Sequence, residues 1–516
     1  MNRSQGFQAG YPTDSTLAGI RRNHLLFSFP VIYLFAVSTV IYLIFSGWHY
    51  DDPYITYRYA RNISQGQGYV YNPGERIQST TTPLFTILLA VSSFFTSDLP
   101  RVANIIGAAS LALGALLLWD LAHTWQTPEV GWTALLLYPT FTLPAAAIGS
   151  ETPLYIAICL ASFACFARKK YYLTAICAAL AILARPDGVL VTLVLSIFFL
   201  IWKRNPIPWK SVFIFTTITL TWFLFSWAYF GNPLPVTLAA KQFQLLLPVS
   251  QSFFRGSAWI LGWYTDGWQY WIEAILAAVG FFWMWRYARA WILVLTWTGL
   301  YFVSYSILHV SRYYWYYAPL VPGFIILVGL GIAAITHQAP KMLLRTQAGK
   351  TPSNGAPPSS TVEQRDSHAR LGNILAFAIL APLTLAQVMD LWKTREQLEP
   401  RAAAYQAVGE WLEANTPPES VVSALEAGII GYYSKRTMVD FAGLLQPEVA
   451  NIIGQSETYD EAAIWAMQKF SPDYVVLVKG DLKALKQSYL EDRCKIAQQF
   501  PKEMFGFNDI NIYSCR

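Results

Sequence analysis

Two adjacent carboxylates, Asp51 and Asp52, stand a few residues past the end of an apolar run, in a stretch that also holds Arg58, Arg61, Glu75 and Arg76. Charge at a membrane edge is expensive unless solvated or paired, so such a cluster usually has a task. The same residue types return in short polar knots. GSETP at 149–153 carries Glu151, and ARPDG at 184–188 carries Arg185 and Asp187. GNPLPVTLAAK at 231–241 ends in Lys241, and HVSRYYWYYAPL at 309–320 carries Arg312 and Tyr313. A carboxylate within hydrogen-bond reach of a hydroxyl can take its proton. Guanidinium and ammonium groups can stabilise a departing phosphate. Asp52 and Glu151 could also hold Mg²⁺ or Mn²⁺ through oxygen ligands. Any one knot read alone is equally a capped, solvated turn. The run Tyr313–Tyr317 suits stacking on sugars or prenyl units, and equally an interfacial aromatic belt.

The elements that must position these groups are membrane spans. Of 516 residues, 54% are hydrophobic and 13% charged. A soluble protein carries about 25% charged residues. Half that figure, with a mean hydropathy of +0.33, predicts a polytopic membrane protein. Spans are expected near 24–47, 101–122, 131–148, 151–167, 171–184, 188–202, 211–230, 269–285, 289–309, 315–336 and 372–391, about eleven in all. The run 84–96 is short and reads as a juxtamembrane or re-entrant helix.

Cations orient the chain. With residues 1–23 inside, the internal links hold Arg168–Lys170, Lys203, Arg204, Lys210, Arg286 and Arg289, then Lys341, Arg345, Lys350, Arg365 and Arg370. The loop 48–83, all four knots and the tail from 393 then lie outside. The net charge of +6 is accounted for by the internal links, which removes nucleic acid as a partner. The first apolar run follows Arg21 and Arg22 and is too long for a signal-peptide core, so it reads as an anchor.

The expected organisation is thus an α-helical polytopic membrane core over 24–392 and a C-terminal extracytoplasmic α/β domain over 393–516. Within the tail, a helix ending at Thr416–Pro417–Pro418 precedes a strand near Val421–Leu425. A helix near 460–470, the strand DYVVLV, a helix at 481–491 and a closing hairpin follow. The link 337–371 contains a flexible Pro/Ser/Gly-rich segment. Cys159, Cys165 and Cys177 lie in apolar spans as packing residues, while Cys494 and Cys515 in the tail could form one disulfide if the tail is extracytoplasmic, the bridged and free states being equally open. No metal-ligand cysteine spacing, P-loop or dinucleotide fingerprint is present.

Span interiors are expected to hold almost no ionisable groups. A transporter or flippase of lipid-linked sugar, the rival class, generally needs such groups near midplane; chemistry at one membrane surface does not. Outside the membrane there are no nucleotide-activated donors, so a sugar would arrive on a lipid phosphate. The acceptor would be a glycan, glycolipid or protein of the cell envelope, and membrane lipids would surround the core.

The order DDPYITYRYARNISQGQGYVYNPGERIQSTTTPL resembles the first-loop signature of polytopic glycosyltransferases of the GT-C superfamily. It is closest to the branch with mycobacterial terminal arabinofuranosyltransferases. GSETPL, ARPDG, YFGNPLPVTLAAK and the tail from VGEWLEANTPPESVV to VDFAGL look like the same branch. The resemblance implies a catalytic aspartate in the first external loop, a polyprenyl-phosphate sugar donor, with a pentofuranose such as arabinofuranose as the candidate sugar, and a soluble external domain. Carried over, the catalytic carboxylate falls on the Asp51–Asp52 pair, with Asp51 favoured as base and Asp52 as its orienting or metal-binding neighbour. Lys241 and Arg312, then Arg58 and Arg61, become candidates for the donor phosphate. Glu151, Arg185, Asp187 and Tyr313 become candidates for substrate binding. Where that branch carries an aromatic-containing segment, this chain reads Ser79–Thr80–Thr81–Thr82, which leaves acceptor specificity open. Pro53 is expected either to hold Asp52 in an extended conformation or to open a helix.

Overall fold

A computed structural model describes residues 14–203, 206–247, 251–348, 361–396, 400–456 and 458–515. Among them, six helical stretches are long and apolar enough to cross a membrane, with shorter apolar helices beside them. The protein is a multi-pass membrane protein carrying a small C-terminal α/β domain. Helix Leu99–Thr124 packs on Thr152–Ala167, on Pro128–Leu137 and on the first helix, Asp14–Phe45. Helices Trp268–Tyr287 and Val321–Ala348 approach closely because each offers a glycine at the crossing. A Cβ on Gly280 would strike the Leu327 carbonyl, and one on Gly331 would strike that of Leu276. Small residues at a crossing are how helices gain contact where lipid removes the hydrophobic drive.

Two expectations about the spans are corrected. The apolar run 131–148 is divided into Pro128–Leu137 and Thr142–Ala146, because Pro139 has no N–H to continue the ladder, and the Leu135 carbonyl four residues back accepts the Tyr33 hydroxyl at 2.6 Å instead. Helix Trp268–Tyr287 carries Glu273, which is fully buried and accepts from Gln387 Nε2 at 2.8 Å. Nearby, Gln269 Nε2 donates to Asp390 at 2.5 Å, so the spans are not as free of ionisable groups as hydropathy suggests. The run 84–96 forms helix Pro83–Ser92; ten residues rise only about 15 Å, too little to cross a bilayer.

At one end of the bundle Arg168 pairs with Asp120, and Glu129 meets His337 at 3.4 Å. At the other end lie the loop 48–83, the polar knots and the C-terminal domain. Several expected internal cations, namely the Arg21, Arg22, Lys203, Lys341, Arg345 and Arg365 side chains together with Arg204 and Lys350, fall outside the described residues. So do residues 1–13 and most of the Pro/Ser/Gly-rich segment.

The C-terminal domain opens with helix Pro400–Asn415 and holds a five-stranded sheet. Its strands are β1 (Val421–Ala424), β2 (Thr437–Asp440), β3 (Tyr474–Val478), β4 (Lys495–Phe500) and β5 (Ile510–Ser514), in the order β2-β1-β3-β5-β4. The first three are parallel, and β5 runs antiparallel to β3 and β4. Cys494, just before β4, is bonded to Cys515, just after β5. Helix Gly428–Ser434 and strand β2 were not legible in advance; both are short, and both face the first loop.

Candidate active site

The first loop opens with a helix, Asp51–Ser64, whose first turn holds both aspartates. Asp52 is helical, so of the two outcomes expected around Pro53 the opening of a helix is found and the extended conformation is not. Pro53 sits in the first turn, where its missing N–H is no loss. Successive helical residues point about 100° apart, and the two aspartates accordingly face different partners. Asp51 turns to the C-terminal domain, where its carboxylate accepts the backbone N–H groups of Gly428 at 2.9 Å and Ile429 at 2.8 Å. Burial pushes its carboxyl up to about 6 even against those two bonds, with Asp52 adding to the rise. Asp52 turns the other way, and its Oδ2 lies 3.3 Å from Lys241 Nζ.

That pair lines a cavity of about 340 Å³. Glu151, Arg185, Asp187 and Tyr316 share its wall, so four knots separated in sequence meet at one place. Arg185 is 4% exposed and is fully engaged. Its Nε donates to Asp187 at 3.1 Å, its Nη1 to Glu151 at 3.2 Å and Thr152 at 3.1 Å, and its Nη2 to the Tyr305 hydroxyl at 2.8 Å. Burial raises the Glu151 carboxyl, and Arg185 opposes that rise. Lys241 donates to the Tyr316 hydroxyl at 2.8 Å. Burial works against its charge, but Tyr316, Asp52 and Tyr313 outweigh burial and hold the ammonium above its ordinary range. An ammonium has three donors; Asp52 and Tyr316 take two.

The remaining walls are of two kinds. Leu190, Leu234, Leu238, Leu308 and Val310 make an apolar side, and Ser79, Thr80, Thr81 and Thr82 a hydroxyl-bearing one. Thr56, Thr80 and Thr82 exchange hydroxyl bonds at 3.2–3.4 Å. Trp315 also lines the cavity.

Other candidates lie outside this lining. Arg58 is 2% exposed and donates to the carbonyls of Tyr71, Gly431 and Arg436 at 2.9, 2.8 and 2.6 Å. Arg61 donates to the Tyr432 carbonyl at 2.7 Å. Both join the loop helix to the C-terminal domain. Arg312 donates to Gln251 Oε1 at 2.6 Å and covers the Trp259 ring. Tyr313 stacks on Trp315 and presents its ring face to Lys241 at 4.5 Å. Tyr305 and the hydroxyl of Tyr316 were missed as polar partners, because an aromatic run reads as a belt or a stacking face and does not reveal which hydroxyl meets a cation. Among the described residues no group of three His, Cys, Asp or Glu side chains is placed to hold a metal ion. Asp52 and Glu151 each already face a cation, so the set does not fit a metal centre.

Residues 391–513 match a domain of unknown function (DUF8728). No curated protein matches the sequence. Among solved structures, the chain is similar to ArnT from Cupriavidus metallidurans in the apo state, with a TM-score of 0.61 at 15% identity, covering 94% of this chain and 98% of that one. The same protein bound to undecaprenyl phosphate gives 0.58 at 14%, covering 93% and 97%. The Archaeoglobus fulgidus oligosaccharyltransferase AglB, in complex with an inhibitory peptide and a dolichol-phosphate, gives 0.51 at 12%, covering 87% and 70%. The chain therefore has the GT-C fold.

Proposed function

We propose, from a GT-C fold with a charged cavity at one end of its bundle, that the protein is a membrane glycosyltransferase using a polyprenyl-phosphate sugar donor. The observation that carries this is the Asp52–Lys241 pair at 3.3 Å in a cavity that also offers apolar surface from Leu190, Leu234, Leu238, Leu308 and Val310. The apolar wall suits the first prenyl units. Lys241, with one donor to spare, suits the phosphate. Binding of that phosphodiester anion draws the ammonium from Asp52, freeing the carboxylate to accept the proton of the acceptor hydroxyl as the sugar moves to it and polyprenyl phosphate leaves. Two structural neighbours are described with undecaprenyl phosphate and with dolichol-phosphate, which supports a lipid-phosphate donor here. The acceptor is a glycan, glycolipid or protein at the outer face of the cell membrane. The likeness of the first loop to arabinofuranosyltransferases favours a pentofuranose.

In this reading Asp52 is the base, and Asp51 is the neighbour that holds the loop helix to the C-terminal domain. The Arg185 triad with Glu151 and Asp187 stiffens the cavity. The bridge between Cys494 and Cys515 supports an extracytoplasmic C-terminal domain, since disulfides persist in oxidising compartments. The test is sugar transfer from undecaprenyl-phosphate-linked sugars to cell-envelope extract by purified protein. Asp52→Asn lowers the rate by about 10²–10⁴-fold, the usual contribution of a general base, while Asp51→Asn retains more of it. A near-normal rate for Asp52→Asn would sink the assignment.

A further inference from the structure

The cavity has one wall that does not belong to the membrane core. Among the described residues, Leu444 is the single lining residue contributed by the C-terminal domain. The turn that carries it is built around one carboxylate. Asp440, 1% exposed at the end of β2, accepts the backbone N–H groups of Ala442 at 2.7 Å, Leu444 at 2.6 Å and Leu445 at 3.3 Å. Gly443 takes φ +76° in that turn, and a Cβ there would meet Ala450 at 2.7 Å. The turn is fastened to the core where Gln244 Nε2, three residues past Lys241, donates to the Ala442 carbonyl at 2.9 Å.

The domain is also registered to the helix turn that carries the reacting carboxylate, through its neighbour Asp51. Asp51 binds Gly428 and Ile429. Asn72 exchanges hydrogen bonds with Met438 on β2, donating at 2.9 Å and accepting at 3.0 Å. Strand β2 thus leads from a fixed point on the first loop directly into the Leu444 turn. Every one of these contacts reads backbone, so they set position and leave side-chain identity free, except at Leu444. A leucine facing a charged cavity contributes neither charge nor hydrogen bond; what it does is displace water.

We propose that the C-terminal domain, the part matching a domain of unknown function, is a water-excluding wall of the cavity, made by Leu444 and held in register with Asp52 by Asp51. This rests on the glycosyl-transfer reading for its purpose. Water admitted beside Asp52 gives its proton to the carboxylate and its oxygen to the anomeric carbon, and the bond to phosphate breaks. The products are free sugar and polyprenyl phosphate in place of a glycosylated acceptor.

Two measurements test it on the full chain in nanodiscs. Thr81→Cys places a thiol in the cavity wall, in a background where Cys159, Cys165 and Cys177 are alanine, and its modification by a membrane-impermeant methanethiosulfonate is timed. Leu444→Ala speeds modification about tenfold, while Leu444→Trp slows it, as expected if the wall gates local access. Met504→Ala, on the exposed face of the domain, changes nothing. Equal rates for both Leu444 variants would overturn the wall. The second measurement uses undecaprenyl-phosphate-linked sugars that the unaltered protein transfers. Leu444→Ala shifts turnover toward free sugar, and a fall in transfer with no sugar released would overturn water exclusion. If the unaltered protein transfers none of them, the glycosyltransferase reading fails, and the thiol measurement still decides whether Leu444 forms the wall.

Discussion

At the scale of single residues, Arg185 should be the costliest to remove. It holds Glu151 and Asp187 at 3.2 and 3.1 Å with almost no solvent contact. Arg185→Gln leaves two half-buried carboxylates without their cation; breaking a fully buried pair costs about 3–5 kcal/mol, and the cavity these two line brings the expected loss to the lower end of that range. Thermal unfolding of the purified protein should show it, with Arg185→Lys intermediate because an ammonium cannot replace a fork of donors. Lys241→Gln should instead act on binding. Losing a charge-assisted bond of about 1.5–3 kcal/mol weakens undecaprenyl phosphate by roughly 10–100-fold in a binding isotherm, whereas Arg312→Gln leaves it nearly unchanged. The sequence shows that Asp51, Asp52, Glu151, Arg185, Asp187 and Lys241 share a membrane face. It does not show which of two adjacent aspartates looks into the cavity, because Asp51's partners are backbone N–H groups 377 and 378 residues away. Arg58 and Arg61 are obscured for the same reason: carbonyl acceptors have no side-chain signature.

At the scale of elements, the junction between the loop helix and helix Gly428–Ser434 depends on two glycines. A Cβ on Gly428 would strike the Asp51 carbonyl, and one on Gly431 the Tyr71 hydroxyl. Gly428→Ala should therefore lower stability by about 1–3 kcal/mol, the usual cost of overpacking, and reduce transfer with it. The EAGIIGYYS stretch is recognisable as a motif, yet its purpose is visible only once the helix it must approach is in place. The same junction should respond to pH. Burial pushes the Asp440 carboxyl up to about 7 and the Glu426 carboxyl to about 7, with Asp51 near 6; unfolded carboxyls titrate near 4. Between about pH 4 and 7 the folded domain binds more protons than the unfolded chain, so stability falls as pH rises through that window. A melting series should show the domain most stable toward pH 5 and less so at pH 8, with a shallower slope in Asp440→Asn. A melting point that climbs from pH 5 to 8 would contradict the assignment.

At the scale of the whole molecule, hydropathy discloses a multi-span core and composition discloses a separate tail, because both are averages over many residues. What averages cannot disclose is that the tail grips the first loop. That grip has a consequence for orientation: the cavity, the loop and the domain must share one side of the membrane. The bridge between Cys494 and Cys515 makes the side measurable. It ties the outer edge of the sheet by closing a loop of 21 residues in sequence separation, and such loops gain about 3 kcal/mol in the chain-entropy account. Cys159, Cys165 and Cys177 are unbridged. Protein taken from membranes under acid quench and denatured should therefore show three titratable thiols, rising to five after reduction. Cys515→Ser should lower the unfolding temperature of the domain without altering the number of spans inserted. Five thiols before reduction would mean that the domain faces a reducing compartment. The Asp52 cavity would then face it too, because Asp51, on the same turn of the same helix, is bonded to that domain.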